Sequence, residues 1–134
     1  MSALPTVVIT GGCGNLGKKL AQHLLAGQQW RVHLIEHPAY YKADQVPAGC
    51  AITVADVADM EGGLEGWSRA LEGADSLVHF SAVNPYPNAD WAESALTMDH
   101  LNNVFLAACS KGVRRVVFAT SNHGEQILLC GRMQ

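Results

Sequence analysis

The run Thr10-Gly11-Gly12-Cys13-Gly14-Asn15-Leu16-Gly17 holds the residues best suited to chemistry in this chain. Its glycines at 11, 14 and 17 give a G-x-x-G-x-x-G spacing, set between the apolar Val7-Val8-Ile9 and a helical pattern from Leu16 to Leu25. A strand, a tight glycine-rich turn and a helix start, in that order, suit a pyrophosphate. Gly11 is expected to turn the backbone sharply off the strand. Gly14 would remove a Cβ where a phosphate comes close, and Gly17 would let the helix lie near the sheet. The N–H groups of the first helical turn, at Asn15, Leu16 and Gly17, would then face the anion with the helix dipole behind them. The octapeptide alone also fits an ordinary strand–turn–helix connection, so the elements around it must decide.

Those elements alternate along the whole chain. Strands are expected at Thr6–Thr10, Arg31–Glu36, Cys50–Ala55, Ser76–Ser81 and Arg115–Thr120. Helices are expected at Asn15–Ala26, Met60–Glu72 and Ala89–Lys111, the second weakened by Gly62, Gly63 and Gly66. Gly27 and Gly112 fit helix ends, and 37–49 and 84–88 read as loops. Alternating strands and helices of these lengths mean β-α-β units, and near-continuous apolar strands fit a sheet covered on both faces. The expected fold is therefore α/β, a Rossmann-type doubly wound parallel sheet of five strands in the order 3-2-1-4-5.

Bulk properties narrow the function. The 134 residues make one domain, with 49% hydrophobic and 16% charged residues. A net charge of −3 offers no basic patch, so no nucleic-acid partner is expected. No apolar run is long enough for a membrane span, and the first residues lack the features of a signal peptide. Cys13, Cys50, Cys109 and Cys130 form no C-x-x-C pair and read as reduced thiols of a cytoplasmic protein, with no metal site.

In a doubly wound sheet a ligand binds at the carboxyl ends of the strands. After the first strand comes the glycine loop. After the second stands Glu36, about 20 residues on, where an acid would take the adenosine ribose hydroxyls. Glu36 would repel a 2′-phosphate and no Arg follows it, which favours NAD over NADP. After the third comes Asp56-Val57, an acid plus backbone suited to an adenine, while Asp59 suits a helix cap. After the fourth comes His79-Phe80-Ser81-Ala82, whose small residues let backbone approach a cofactor. His79 itself is expected to be a packed strand histidine. After the fifth comes Thr120-Ser121-Asn122-His123.

With these segments in place, the chain from Val7 to His123 resembles the N-terminal part of the extended short-chain dehydrogenase/reductases, the NAD-dependent epimerase/dehydratase family. Thr10 to Gly17 resembles that family's T-G-x-x-G-x-x-G, Ala55-Asp56-Val57 its adenine contact, His79 to Ala82 its H-x-A-A segment, and Arg115 to His123 its fifth strand and following serine. The Ser-Asn-His ending is most similar to uronate dehydrogenases and related sugar oxidoreductases. The resemblance implies an NAD site made by Gly11, Gly14, Asn15, Leu16, Gly17, Glu36, Asp56, Val57, Phe80, Ser81 and Ala82. It also implies that Ser121 is the catalytic serine, holding the substrate oxygen during hydride transfer.

Two departures qualify what is implied. The family's N-V-x-G-T pattern reads Thr97-Met98-Asp99-His100-Leu101 here, leaving open whether Asp99 or His100 lies near the site or on the helix surface. The family's chemistry also needs a Tyr-x-x-x-Lys pair, in which the Lys lowers the pKa of the Tyr. Asp44, Gln45 and Asp90 stand four residues after Tyr40, Tyr41 and Tyr86, so none of these tyrosines has the Lys. The expectation is an NAD-binding domain over 1–123 and a divergent tail over 124–134, the product of a truncated or frame-shifted gene. Its parent would act on a small sugar-like substrate or sugar acid, and the chain alone would be inactive. The alternative is a non-catalytic dinucleotide-sensing or interaction module similar to NmrA-like regulators. The fifth strand would leave an apolar sheet edge open to homo-oligomerisation.

Overall fold

The computed structural model describes residues 3–60, 66–82 and 90–119 of the chain. Their centre is β1 (Thr6–Thr10), in which Val7, Val8, Ile9 and Thr10 are all buried. It pairs in parallel with β2 (Arg31–Glu36) on one side and β4 (Ser76–His79) on the other. Beyond them lie β3 (Ala51–Val54) and β5 (Arg115–Phe118), completing the parallel order β3-β2-β1-β4-β5. This is the doubly wound order expected from the sequence. The order reverses between β1 and β4, so the carboxyl ends of these two strands flank the crevice where ligands bind in such sheets.

Strand alternation sends neighbouring side chains to opposite faces, and each face has its own core. Val7, Ile9, Val32 and Leu34 pack with Ala21, Leu20 and Leu24 of α1 (Asn15–Ala26). Val8, Ile35 and Leu77 pack with Val104 and Ala107 of α2 (Trp91–Ser110) and with Trp67 and Leu71. Burial on both faces explains why β1 reads as a continuous apolar run.

Helix α1 keeps its expected bounds. Helix α2 begins two residues later than Ala89 because Asp90 caps it. The Glu93 N–H donates to Asp90 Oδ1 at 2.8 Å, and the Asp90 N–H donates to Glu93 Oε2 at 3.1 Å, a reciprocal capping box. At the other end Gly112 adopts φ +72°, the left-handed conformation that closes a helix.

One element differs from expectation. Where a helix was expected over Met60–Glu72, the described part forms only a 3₁₀ turn, Trp67–Leu71. Gly66 precedes it, and the turn is held by burial of Trp67, Ser68 and Leu71 rather than by helix propensity. The Trp67 indole N–H also donates to the Asp59 carbonyl at 2.9 Å. Asp59 therefore anchors Trp67 through its backbone, and the expected long helix for it to cap is absent from the described residues.

Among the described residues β5 is the outer strand, with Val116, Val117 and Phe118 38%, 57% and 44% exposed. No described helix is long and apolar enough to cross a membrane. Residues 124–134 lie outside the described residues.

Candidate active site at the strand ends

The glycine loop is shaped by contacts that exclude side chains. Gly11 has φ +68°, so it makes the sharp turn expected of it. A Cβ there would also stand 3.2 Å from the backbone of Phe80 and Ser81, so the loop after β4 lies directly against the loop after β1. A Cβ on Gly17 would collide with the Gly11 carbonyl and lie 2.9 Å from Gly12 Cα. The helix start is thus pressed on the loop itself, and that contact, rather than closeness to the sheet, is what requires glycine at 17. Gly12, to which the sequence assigned no role, is excluded from having a side chain by Leu34, whose Cβ lies 2.7 Å from the ideal position.

This turn leaves the start of α1 open. Gly14 is its N-cap, with no side-chain cap and no acid in the first turn. The N–H groups of the first helical turn have no partner within the helix, and Gly14 and Asn15 border open space lined also by Lys18 and Gln45.

Thr10 and His79 join the two central strands at their ends. Thr10 Oγ1 lies 2.7 Å from His79 Nδ1 and accepts the N–H groups of Phe80 and Ser81, each at 3.1 Å. A hydroxyl has two lone pairs and one proton. With both lone pairs engaged, its proton goes to Nδ1, which fixes His79 as the Nε2–H tautomer. Burial, with a smaller contribution from His100, pushes the His79 pKa down to about 4, so it stands neutral. His79 is the packed strand histidine expected, and it holds Phe80-Ser81 in place over Gly11.

Glu36 is buried at the end of β2, 5% exposed. Its Oε2 accepts the Cys13 N–H at 2.9 Å and its Oε1 accepts the His37 N–H at 2.8 Å. Each oxygen retains acceptor capacity for a hydroxyl donor. The acid that the sequence placed opposite the loop is therefore tied to it.

Gly11, Cys13, Gly14, Glu36, Phe80, Ser81 and Ala82 line one cleft of about 910 Å³, together with His37, Lys42, Leu96 and His100. That size is at the upper end of small-molecule sites. Asp56 is not among the residues that line this cleft. Its Oδ2 lies 3.5 Å from His37 Nε2 and its Oδ1 3.7 Å from His100 Nε2. Oδ1 also accepts the Ala58 N–H at 2.9 Å. The side chain of Val57 is in the core, 3% exposed, and its carbonyl accepts Asn103 Nδ2 at 3.0 Å. Among the described residues no His, Cys, Asp or Glu group is arranged to hold a metal.

The sequence left Asp99 and His100 open, and the structure separates them. Asp99 is exposed, whereas His100 is 4% exposed and lines the cleft. Thr97, which replaces the family's Asn, turns its hydroxyl back to the Glu93 carbonyl at 3.3 Å. Asn103 went unnoticed, as did Lys42 and the role of the Thr10 hydroxyl. Only the pairing register that sets Thr10 opposite His79 could have revealed the last. Ser121 lies outside the described residues.

Residues 7–125 match the model of the NAD dependent epimerase/dehydratase family. The chain belongs to that family. Similar proteins include an NAD-dependent glucose-6-phosphate dehydrogenase of Haloferax volcanii, 30% identical over 119 residues that make up 87% of this chain and 43% of the relative. An L-arabinose 1-dehydrogenase (NAD(P)(+)) of the same organism is 31% identical over 122 residues, 90% of this chain and 42% of the relative. Among solved structures, the Bordetella bronchiseptica enzyme WbmG, in complex with NAD and UDP, superposes with a TM-score of 0.71 at 30% identity. That match covers 87% of this chain and 37% of the other. The chain thus spans about two fifths of the length of these similar proteins.

Proposed function

We propose that this chain is the dinucleotide-binding portion of a family oxidoreductase acting on a sugar or sugar acid, and that NAD is its ligand. The observation that carries the reading is the coupling of the glycine loop to Glu36: the Cys13 N–H donates to the carboxylate at 2.9 Å, beside an α1 start that has no side-chain cap. A diphosphate placed there would meet the free N–H groups and the positive end of the α1 dipole. Glu36 would accept the ribose hydroxyls and disfavour a 2′-phosphate. Lys42, lining the same cleft, is the nearby cation that would moderate that preference.

The cofactor when bound supplies hydride exchange. What the described residues contribute is binding and orientation. Gly11, Gly14 and the first turn of α1 would seat the phosphates, and Thr10, through Phe80 and Ser81, would fix the opposite wall. Ser121 would hold the substrate oxygen, as the family resemblance implies. A Tyr-x-x-x-Lys pair does not occur at Tyr40, Tyr41 or Tyr86. The expected behaviour is therefore binding of NAD without dehydrogenase turnover by this chain alone. Calorimetry with NAD+ and NADH, paired with dehydrogenase assays on uronates and aldoses, tests it. Binding without turnover supports the reading; absence of binding rejects it.

A further inference from the structure

The stretch that follows Glu36 is held at its two ends and exposed between them. At its start the His37 N–H donates to Glu36 Oε1 at 2.8 Å. At its far end the Lys18 ammonium donates to Gln45 Oε1 at 2.7 Å, and both of these side chains are half-buried. Residues 38–40 and 42–44 are exposed. Their other hydrogen bonds are local: the Tyr40 and Tyr41 N–H groups donate to the His37 carbonyl, and the Gln45 N–H donates to the Lys42 carbonyl. Among the described residues, the Lys18–Gln45 bond is the one hydrogen bond from 38–45 to the rest of the fold. Lys18 belongs to the first turn of α1, and its N–H donates to the Gly14 carbonyl at 2.9 Å. A cation there stands at the unfavourable end of the helix dipole, so α1 gains no stability from the charge. The side chain instead reaches across to the loop. Ala39, Tyr40, Lys42 and Gln45 line the cleft opposite Phe80 and Ser81. The bond therefore joins the helix beside the glycine loop to the outer wall of the cleft.

We propose that Lys18 and Gln45 are positioning residues: they form a clasp that holds 38–45 as the wall of the cleft beside Glu36, and this clasp raises the affinity for a dinucleotide. This rests on the dinucleotide reading above. A ligand whose ribose sits at Glu36 lies along the stretch that leaves Glu36. A wall already held in its bound shape need not be ordered when the ligand arrives, so less of the binding energy is lost. With the clasp open, the exposed stretch is tied only at His37 and at Val46, which packs on the core beneath α1. Binding must then order it. Both residues act through the loop and neither is assigned a contact with a reacting atom.

Two measurements on the full chain test the clasp. Limited trypsin digestion, read by mass spectrometry at the peptide bond after Lys42, reports how often the stretch opens. Calorimetric titration with NAD+ reports the affinity. Lys18→Met and Gln45→Leu each remove the bond and keep most of the side-chain volume. Each should speed cleavage after Lys42 about fivefold and weaken NAD+ binding about fivefold. The double variant should exceed either single one by less than about twofold, because both remove the same bond. Lys18→Arg, which keeps a donor, should retain most of the wild-type values, and NAD+ should slow the cleavage of the wild type. A Lys18 that acted only by its charge on the ligand would leave Gln45→Leu like the wild type. A merely structural pair would lower the urea midpoint and leave the affinity unchanged. Either result would overturn the proposal. A wild type that binds no NAD+ would instead reject the dinucleotide reading, and this inference with it.

Discussion

The Thr10 hydroxyl and the His79 imidazole stand 2.7 Å apart where the central strands β1 and β4 end. This contact locks the crevice. The same hydroxyl accepts the N–H groups of Phe80 and Ser81, and these residues pack on Gly11 at the start of the glycine-rich turn. Thr10→Val keeps the shape and removes the hydroxyl, leaving the Ser81 N–H and one imidazole nitrogen without that partner, while the Phe80 N–H retains the Thr10 carbonyl at 3.3 Å. The expected loss is about 2–4 kcal/mol of stability, measured by urea unfolding. Thr10→Ser should retain most of the wild-type value.

The same contact predicts a pH response. Burial holds the His79 pKa at about 4 in the folded chain, below its ordinary 6.5, and pushes His100 down as well. Between these limits the unfolded chain binds a proton at His79 that the folded chain does not. Its contribution is therefore fully present above pH 6.5 and is lost as pH falls toward 4, amounting at most to about 3 kcal/mol for His79. Urea midpoints should fall over that window, and His79→Asn, which has no titrating ring, should flatten the slope.

The glycines at the start and the end of α1, Gly17 and Gly27, are predicted to differ sharply from one another. Gly17→Ala sets a methyl against the Gly11 carbonyl and Gly12 Cα, which are backbone and cannot swing aside. It should cost about 2 kcal/mol or more and displace the loop. Gly27→Ala, at φ −74° with its closest contact at 3.6 Å, should change stability by less than about 0.5 kcal/mol. Thermal unfolding of the two variants side by side checks the contrast.

The architecture was legible because the signals that specify it are local. Alternating apolar runs and helical periodicity, punctuated by Gly27 and Gly112, gave the strand order 3-2-1-4-5 and the bounds of β1, α1 and β2. The helix expected over Met60–Glu72 illustrates the opposite case, since three glycines weakened the propensity and burial of Trp67 determined the outcome. In the cleft, Glu36 and the glycines followed from spacing. The roles of His37, His100 and Asn103 did not, because each depends on where α2 and the loop after β2 meet the sheet. That meeting is a long-range contact with no periodic trace in the sequence.

The outermost of the described strands, β5, leads to a separate expectation. Val117 and Phe118 are 57% and 44% exposed, and an apolar strand edge invites pairing with another chain. The chain should self-associate as its concentration rises, and Val117→Lys should shift it toward monomer. Multi-angle light scattering across a dilution series reads this directly, and a wild type that stays monomeric at high concentration would contradict it.

The glycine loop and Glu36 are proposed to form one dinucleotide site. Calorimetric titration of the full chain with NAD+, compared with Glu36→Gln under the same conditions, tests it most directly. Saturable one-to-one binding by the wild type is expected, weakened about tenfold or more in Glu36→Gln, in line with the loss of a charged hydrogen-bond acceptor. No binding by the folded wild type, or equal affinity in the folded variant, would contradict it.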